Sequence, residues 1–432
     1  MKTFQQIGIG LLCLLVAITT WAQQTPAPEQ QQTITITGAT AHLGDGQMIK
    51  NSTIVFENGK IKAIGDAINS KIAPEGKKID ATGKHVYPGF IAPNTTLGLI
   101  EVAAVRASND DDEIGDLNPH IRSIIAYNAE SKVVESMRPN GVLMAQTTPQ
   151  GGTISGTSSI VQLDAWNWED AAIRTDDGVH LNWPRSFRRG RWWLGEDPGY
   201  SPNKDYQEEV TDLTLFMKNA KAYSEDTQEK NLPFEASKGL FDGSKTLYVH
   251  TDGEKEMLDA IAFKNEVGVT KMVFVGAYQG DAIADQLASN NIPVILDRTQ
   301  NLPSGDDDDY DKPYKLAKLL TDAGVLVALG HEGEYWQARN TPFYAGQVIG
   351  QGMDTEEALK LITSNAAKIL GIDDMAGTLE VGKDATLFIS EGNALDMRGN
   401  RLTHAFIQGR EISLETHQTE LWKRYMEKYS RK

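Results

Sequence analysis

Apolar and polar residues alternate from Thr33 to Gly38, with Ile34 and Ile36 on one face, which is the period of a half-buried strand. Asp45-Gly46 then marks a turn. Thr53–Phe56 and Lys60–Ile64 read as two further strands joined at Asn58-Gly59, a dipeptide suited to a tight hairpin. Further on, helical stretches alternate with short apolar runs that end in polar residues. Gly141–Gln146, Thr246–His250, Lys271–Val275, Ile292–Leu296 and Val325–Leu329 are the runs; Glu254–Asn265, Asp281–Asn290 and Tyr314–Ala323 are helical. Strands alternating with helices imply βα units and a parallel sheet. The span 89–375, about 285 residues, suits a (β/α)8 TIM barrel, for which roughly 250 is typical. The chain then returns to strands at Gly377–Lys383, Ala385–Ser390 and Leu402–Gln408. Two β segments, 33–88 and 376–413, therefore flank the barrel and predict one composite β-sandwich built from both ends. Residues 414–432 predict a C-terminal helix, centred on Glu415–Lys428.

Composition narrows the partners. The chain has 432 residues, 40% of them hydrophobic, and a formal net charge of -17. That is enough apolar sequence for a large domain and a small one, and an acidic surface excludes a nucleic-acid partner. Residues 1–22 read as a signal peptide: Lys2, an apolar run from Ile7 to Ile18, and Thr20-Trp21-Ala22 as a cleavage site. That run is too short for a permanent membrane span. The reading places the mature protein in the periplasm or outside the cell. Cys13, the sole cysteine, falls inside the signal, so the mature chain would hold neither a disulfide nor a thiolate ligand. Residues 23–32 (QQTPAPEQQQ) read as a flexible linker.

Several segments, in this order, resemble the amidohydrolase superfamily and its secreted, imidazolonepropionase-like branch. "TGATAHLGDGQMIKNSTIVFENGKIKAIG" is similar to the opening β-sandwich, and "IDATGKHVYPGFI" to the lead into barrel strand 1. "DLNPHIRSIIAYNAES" and "GVLMAQTTPQGGTISGTSSIVQL" are similar to a stretch of this branch. "RNTPFYAG", "EEALKLITSNAAKILGI" and "GTLEVGKDATLFI" are similar to the closing signature. The resemblance implies one or two divalent cations at the C-terminal face of the barrel, activating a water that attacks a carbonyl or imine carbon. The implied ligands are a His-x-His after strand 1, a bridging lysine after strand 4, histidines after strands 5 and 6, and an aspartate after strand 8.

Carried onto this chain, that ligand set is mostly replaced. Asn94 and Thr96 stand where the resemblance implies the two strand-1 histidines, and Gly276 where it implies the strand-6 histidine. His250 keeps the strand-5 position. Glu332, with His331 beside it, takes the strand-8 place and the role of general base. His180 in "GVHLNWP" is a candidate for the place of the lysine. His180, His250, His331 and Glu332 are thus the candidate ligands, for one zinc-like cation or for none, since a catalytic zinc normally keeps three protein ligands. His250 and His331 also read as strand-end residues bonded to their neighbours.

The segment "RSFRRGRWW" stands out in an acidic chain. Arg189 and Trp192 within it are candidates to bind a substrate or a partner, because arginine and tryptophan suit carboxylate recognition and interface anchoring. The Gly-rich run 151–156 lacks the ending of a phosphate loop and reads as a plain loop. Two functions follow: a hydrolase of non-peptide carbon–nitrogen bonds in a small molecule, with an altered metal site, or a catalytically silent barrel that binds a ligand. Either could assemble with itself or with an active homologue.

Overall fold

The computed structural model describes residues 25–430 apart from 198, 227–228, 306 and 332–334. The expected signal peptide, Cys13 and Glu332 lie outside the described residues.

The terminal segments form one eight-stranded sheet. Its N-terminal part comprises Ile34–His42, Met48–Glu57, Lys60–Asp66, Lys77–Asp80 and His85–Pro88; its C-terminal part comprises Leu387–Ser390, Leu402–Ile407 and Arg410–Glu411. The seam is the antiparallel pairing of His85–Pro88 with Leu387–Ser390. Asn58 and Gly59 both adopt positive φ (51° and 77°), so the hairpin turn forms as their chemistry dictates. Ile36, Ile54, Phe56, Val86, Ile389 and Phe406 fill the core of this sheet, where the rings of Phe56 and Phe406 meet edge to face at 5.1 Å. The expected linker is docked where it is described. Ala27 N donates to the Asp164 carboxylate, and the Gln30 side-chain amide accepts from Gly59 N and donates to Phe56 O.

Eight strands form the barrel sheet: β1 (Phe90–Thr95), β2 (Val142–Thr147), β3 (Ile154–Gln162), β4 (Ala172–Asn182), β5 (Thr246–Thr251), β6 (Met272–Gly276), β7 (Val294–Leu296) and β8 (Val327–Leu329). Seven run parallel. β3 runs antiparallel to both neighbours, pairing Thr147 with Ser159 and Thr157 with Val179. The barrel of βα units therefore holds, but strands 2 to 4 form a meander. The Gly-rich run 151–156, expected as a loop, supplies the turn and the start of β3. The β-branched and small residues from Thr153 to Ile160 favour a strand whichever way it points.

The edges of this sheet, β1 and β8, are bridged by residues 361–365 at the end where β1 starts. Ile91 N donates to Ile362 O, Leu329 N to Leu361 O, and Asn365 Nδ2 to Val327 O. The helix Ser364–Leu370 then plugs this end of the interior, where Ala366, Ile369 and Leu370 pack with Ile91, Val273, Ile295 and Ala328. The apolar floor leaves the other end of the barrel for polar groups.

Candidate functional site

Period-2 alternation puts Tyr248 and His250 on one face of β5, and Tyr248 belongs to the interior cluster. From β4, His180 lies level with Tyr248 in the strand register. The two rings stack at 4.7 Å with 15° between planes. His180 Nδ1 and His250 Nε2 face each other at 2.8 Å, one donating to the other. His180 is wholly buried, and its Nε2 has no hydrogen-bond partner. Burial, reinforced by His250, drives the His180 imidazole well below its ordinary pKa, so this ring is neutral near neutral pH.

Beneath the histidines lies a polar network that sequence reasoning missed. Asp177, 1% exposed, accepts from Ser158 Oγ at 2.8 Å, Gln146 Nε2 at 2.9 Å and Tyr248 Oη at 2.9 Å. Burial raises its carboxyl pKa against the lowering effect of those three donors. Gln146 Oε1 in turn accepts from Asn94 N at 3.1 Å. In the sequence, Asp176-Asp177-Gly178 looks like a turn, and the single available signal is the i, i+2 spacing of Tyr248 and His250.

The positions expected to be degenerate, Asn94, Thr96 and Gly276, are built into the fold. Asn94 takes a left-handed backbone (φ 54°), is 3% exposed, and leaves its Oδ1 buried without a partner. Thr96 is half-buried, and its carbonyl accepts from Leu99 N in the turn that follows β1. Gly276 has φ 91°, and a Cβ there would lie 2.6 Å from Asp252 Oδ1. A side chain at the strand-6 position is thus disfavoured by both backbone and space.

His331 departs from expectation. It follows β8 but stacks on Tyr344 of the helix Thr341–Gly350, at 6.1 Å with 6° between rings. Among the described residues no three His, Cys, Asp or Glu side chains converge as a metal-ligand group, so His331 does not complete a set with His180 and His250. Ala328 on β8 faces the interior cluster, so continuing the alternation past the strand's end turns residue 331 to the opposite side.

The Arg/Trp segment folds as a small hairpin, Phe187–Arg189 against Tyr200–Pro202. Arg189 sits 5.9 Å from the centre of the Tyr200 ring, and Trp192 packs edge to face with Trp193. Arg188 pairs with Glu209 and Asp205, and Arg191 with Glu196, so local carboxylates already engage two of the arginines. Trp192 and Trp193 remain 71% and 65% exposed. A separate acidic cavity of about 500 Å³ is lined by Asp110, Asp111, Asp112, Glu113, His120 and Arg122.

Comparison with known proteins bears on this geometry. Residues 241–412 match the amidohydrolase family. An imidazolonepropionase of Symbiobacterium thermophilum is 23% identical over 393 residues, spanning 80% of this chain and 85% of that protein. One from Fusobacterium nucleatum is 22% identical, over 80% of this chain and 86% of its own. The fold matches a solved amidohydrolase from Thermotoga maritima with a TM-score of 0.74 at 22% identity, over 88% of this chain and 99% of that one. It also matches a zinc-bound adenosine deaminase from Xanthomonas campestris with a TM-score of 0.52 at 14% identity, over 93% of this chain and all of that one.

Proposed function

The chain belongs to the amidohydrolase superfamily, and from that premise we propose that it hydrolyses a non-peptide carbon–nitrogen bond, such as a cyclic amide, in a small molecule, at an altered centre with room for one zinc-like ion. The carrying observation is the His180–His250 pair. Two imidazole nitrogens on one tetrahedral zinc stand about 3.4 Å apart, given bonds of ~2.1 Å. The 2.8 Å separation here is a little shorter, so a small opening of the pair would admit an ion. The orphaned Nε2 of His180 gives that ring a second buried nitrogen in want of a partner. The family resemblance, not the described geometry, supplies Glu332 as the third donor, and two imidazoles with one carboxylate suit one zinc and not two. When bound, the ion would activate water and polarise the substrate carbonyl.

The other groups orient. Stacking on Tyr248 fixes the plane of His180, and the bond from Tyr248 to Asp177 fixes Tyr248. The unpartnered Oδ1 of Asn94 is placed to accept an N–H from an amide-like substrate. Metal analysis of the mature protein, before and after excess zinc, tests this reading. We expect one equivalent, lost in both His250→Ala and His180→Ala. Less than about 0.1 equivalent in the loaded wild type overturns it.

A second reading, a catalytically silent barrel that binds a ligand or partners an active homologue, is favoured by Gly276, where no ligand side chain fits without strain. It predicts ligand binding without metal and no turnover under any metal.

A further inference from the structure

The C-terminal helix, His417–Tyr429, is firmly held at its start and bare along its length. Thr416 and Thr419 form a reciprocal cap, and His417 N donates to Glu135 Oε1 at 2.6 Å. None of its thirteen residues is buried. At 1.5 Å per residue it is about 20 Å long. Trp422, Tyr425, Met426 and Tyr429 follow the i, i+3, i+4, i+7 spacing and make one stripe, exposed by 62%, 58%, 48% and 61%. Leu421, half-buried, continues the same arc. No charged residue from 417 to 430 interrupts it, because Lys423, Arg424, Glu427 and Lys428 all fall on the remaining faces. Tyr425 and Tyr429 stack at 6.0 Å, and Lys428 sits over the Tyr429 ring at 4.9 Å.

We propose that this helix docks the protein onto an anionic lipid bilayer surface, lying in the headgroup plane with the Trp422–Tyr429 stripe inserted. Local charge decides between this partner and a second copy, whose own helix would bring an identical cationic segment against this one. The last segment is locally cationic: Lys423, Arg424, Lys428, Arg431 and Lys432 stand against Glu420 and Glu427. Tryptophan and tyrosine are side chains that lodge at a membrane interface, apolar in body and polar at the tip. A basic, aromatic, amphipathic helix of this kind is held by apolar insertion together with attraction to anionic lipid. No helix among the described residues is long and apolar enough to cross a membrane, so the contact is with the surface.

The test uses the full mature chain and vesicles of phosphatidylcholine alone or mixed three to one with phosphatidylglycerol, read by co-sedimentation and tryptophan fluorescence. Expected is binding to the mixed vesicles that weakens about tenfold or more on the neutral ones and in high salt. Replacing Lys423, Arg424 and Lys428 by Glu should weaken it on the order of a hundredfold. Trp422→Ser with Met426→Ser should abolish the fluorescence blue shift. Both variants keep the parent melting curve, since all five side chains are exposed. Equal binding to both vesicle types overturns the proposal. So does binding that survives the charge reversal but is lost in Trp192→Ser/Trp193→Ser, or a solution dimer that Trp422→Ser dissociates.

Discussion

Asp164, just beyond the end of β3, ties three distant parts of the chain together. Its carboxylate is 1% exposed and meets Arg138 Nη1 at 3.1 Å, Arg410 Nη1 at 2.9 Å and Ala27 N at 2.9 Å. Arg410 brings in the C-terminal strand, Ala27 the N-terminal segment, and Arg138 the turn before β2. Asp164→Asn keeps the shape and removes the one negative charge between two guanidiniums. Burial already holds the Arg138 guanidinium below its ordinary pKa, and Asp164 is the largest influence in the other direction. Removing one partner of a buried pair costs about 3–5 kcal/mol. The Arg410 side chain is 14% exposed and can take up some water, which points to the lower half, ~3–4 kcal/mol. One amide hydrogen of the new Asn also faces a donor, so an acceptor is lost as well. Urea unfolding followed by circular dichroism measures the change, as a lower midpoint at unchanged slope. Adding Arg138→Met removes one orphaned charge and should recover about 1–2 kcal/mol. A loss below about 1 kcal/mol, or no recovery in the double variant, refutes the hub as the clamp between the terminal segments and the barrel.

Three further outcomes are expected. Gly276→Ala should cost about 1–2 kcal/mol in thermal or urea unfolding, because φ 91° excludes ordinary side chains and the new Cβ meets Asp252; Gly276→His should cost more and gain no zinc in metal analysis. His180, whose pKa is lowered in the folded state, stays neutral while an unfolded imidazole takes up a proton below its usual ~6.5. Stability should therefore fall as pH drops from about 7 to 5, by at most about 1.4 kcal/mol per unit from this residue, and His180→Gln should flatten the slope of urea midpoint against pH. Trp192→Ser and Trp193→Ser should leave stability within about 0.5 kcal/mol, since both rings are largely exposed. Any effect of theirs would then be on ligand or partner binding, read by calorimetry.

The strands of the terminal sheet and the apolar runs of the barrel were legible in the sequence because each is a local pattern. Ile34 and Ile36 alternate, Asn58-Gly59 accepts positive φ, and the runs at 246–250 and 271–275 end within one residue of the ends of β5 and β6. The expectation that Asn94, Thr96 and Gly276 stand at ligand positions also came from local offsets, each within its own segment of the resemblance. Tertiary structure alone decided the rest. The direction of β3 depends on which neighbours it pairs with, and its β-branched residues suit either sense. The separation of His331 from His250 depends on the parity and register of strands set by barrel closure; one stacks on an outer helix and the other meets His180. Asp177, Gln146, Ser158 and Tyr248 come from four strands and become a network when the sheet curls, because a buried carboxylate needs donors that only neighbouring strands supply. Local residue patterns thus determined the elements, while the long-range pairing of strands determined which polar groups face one another.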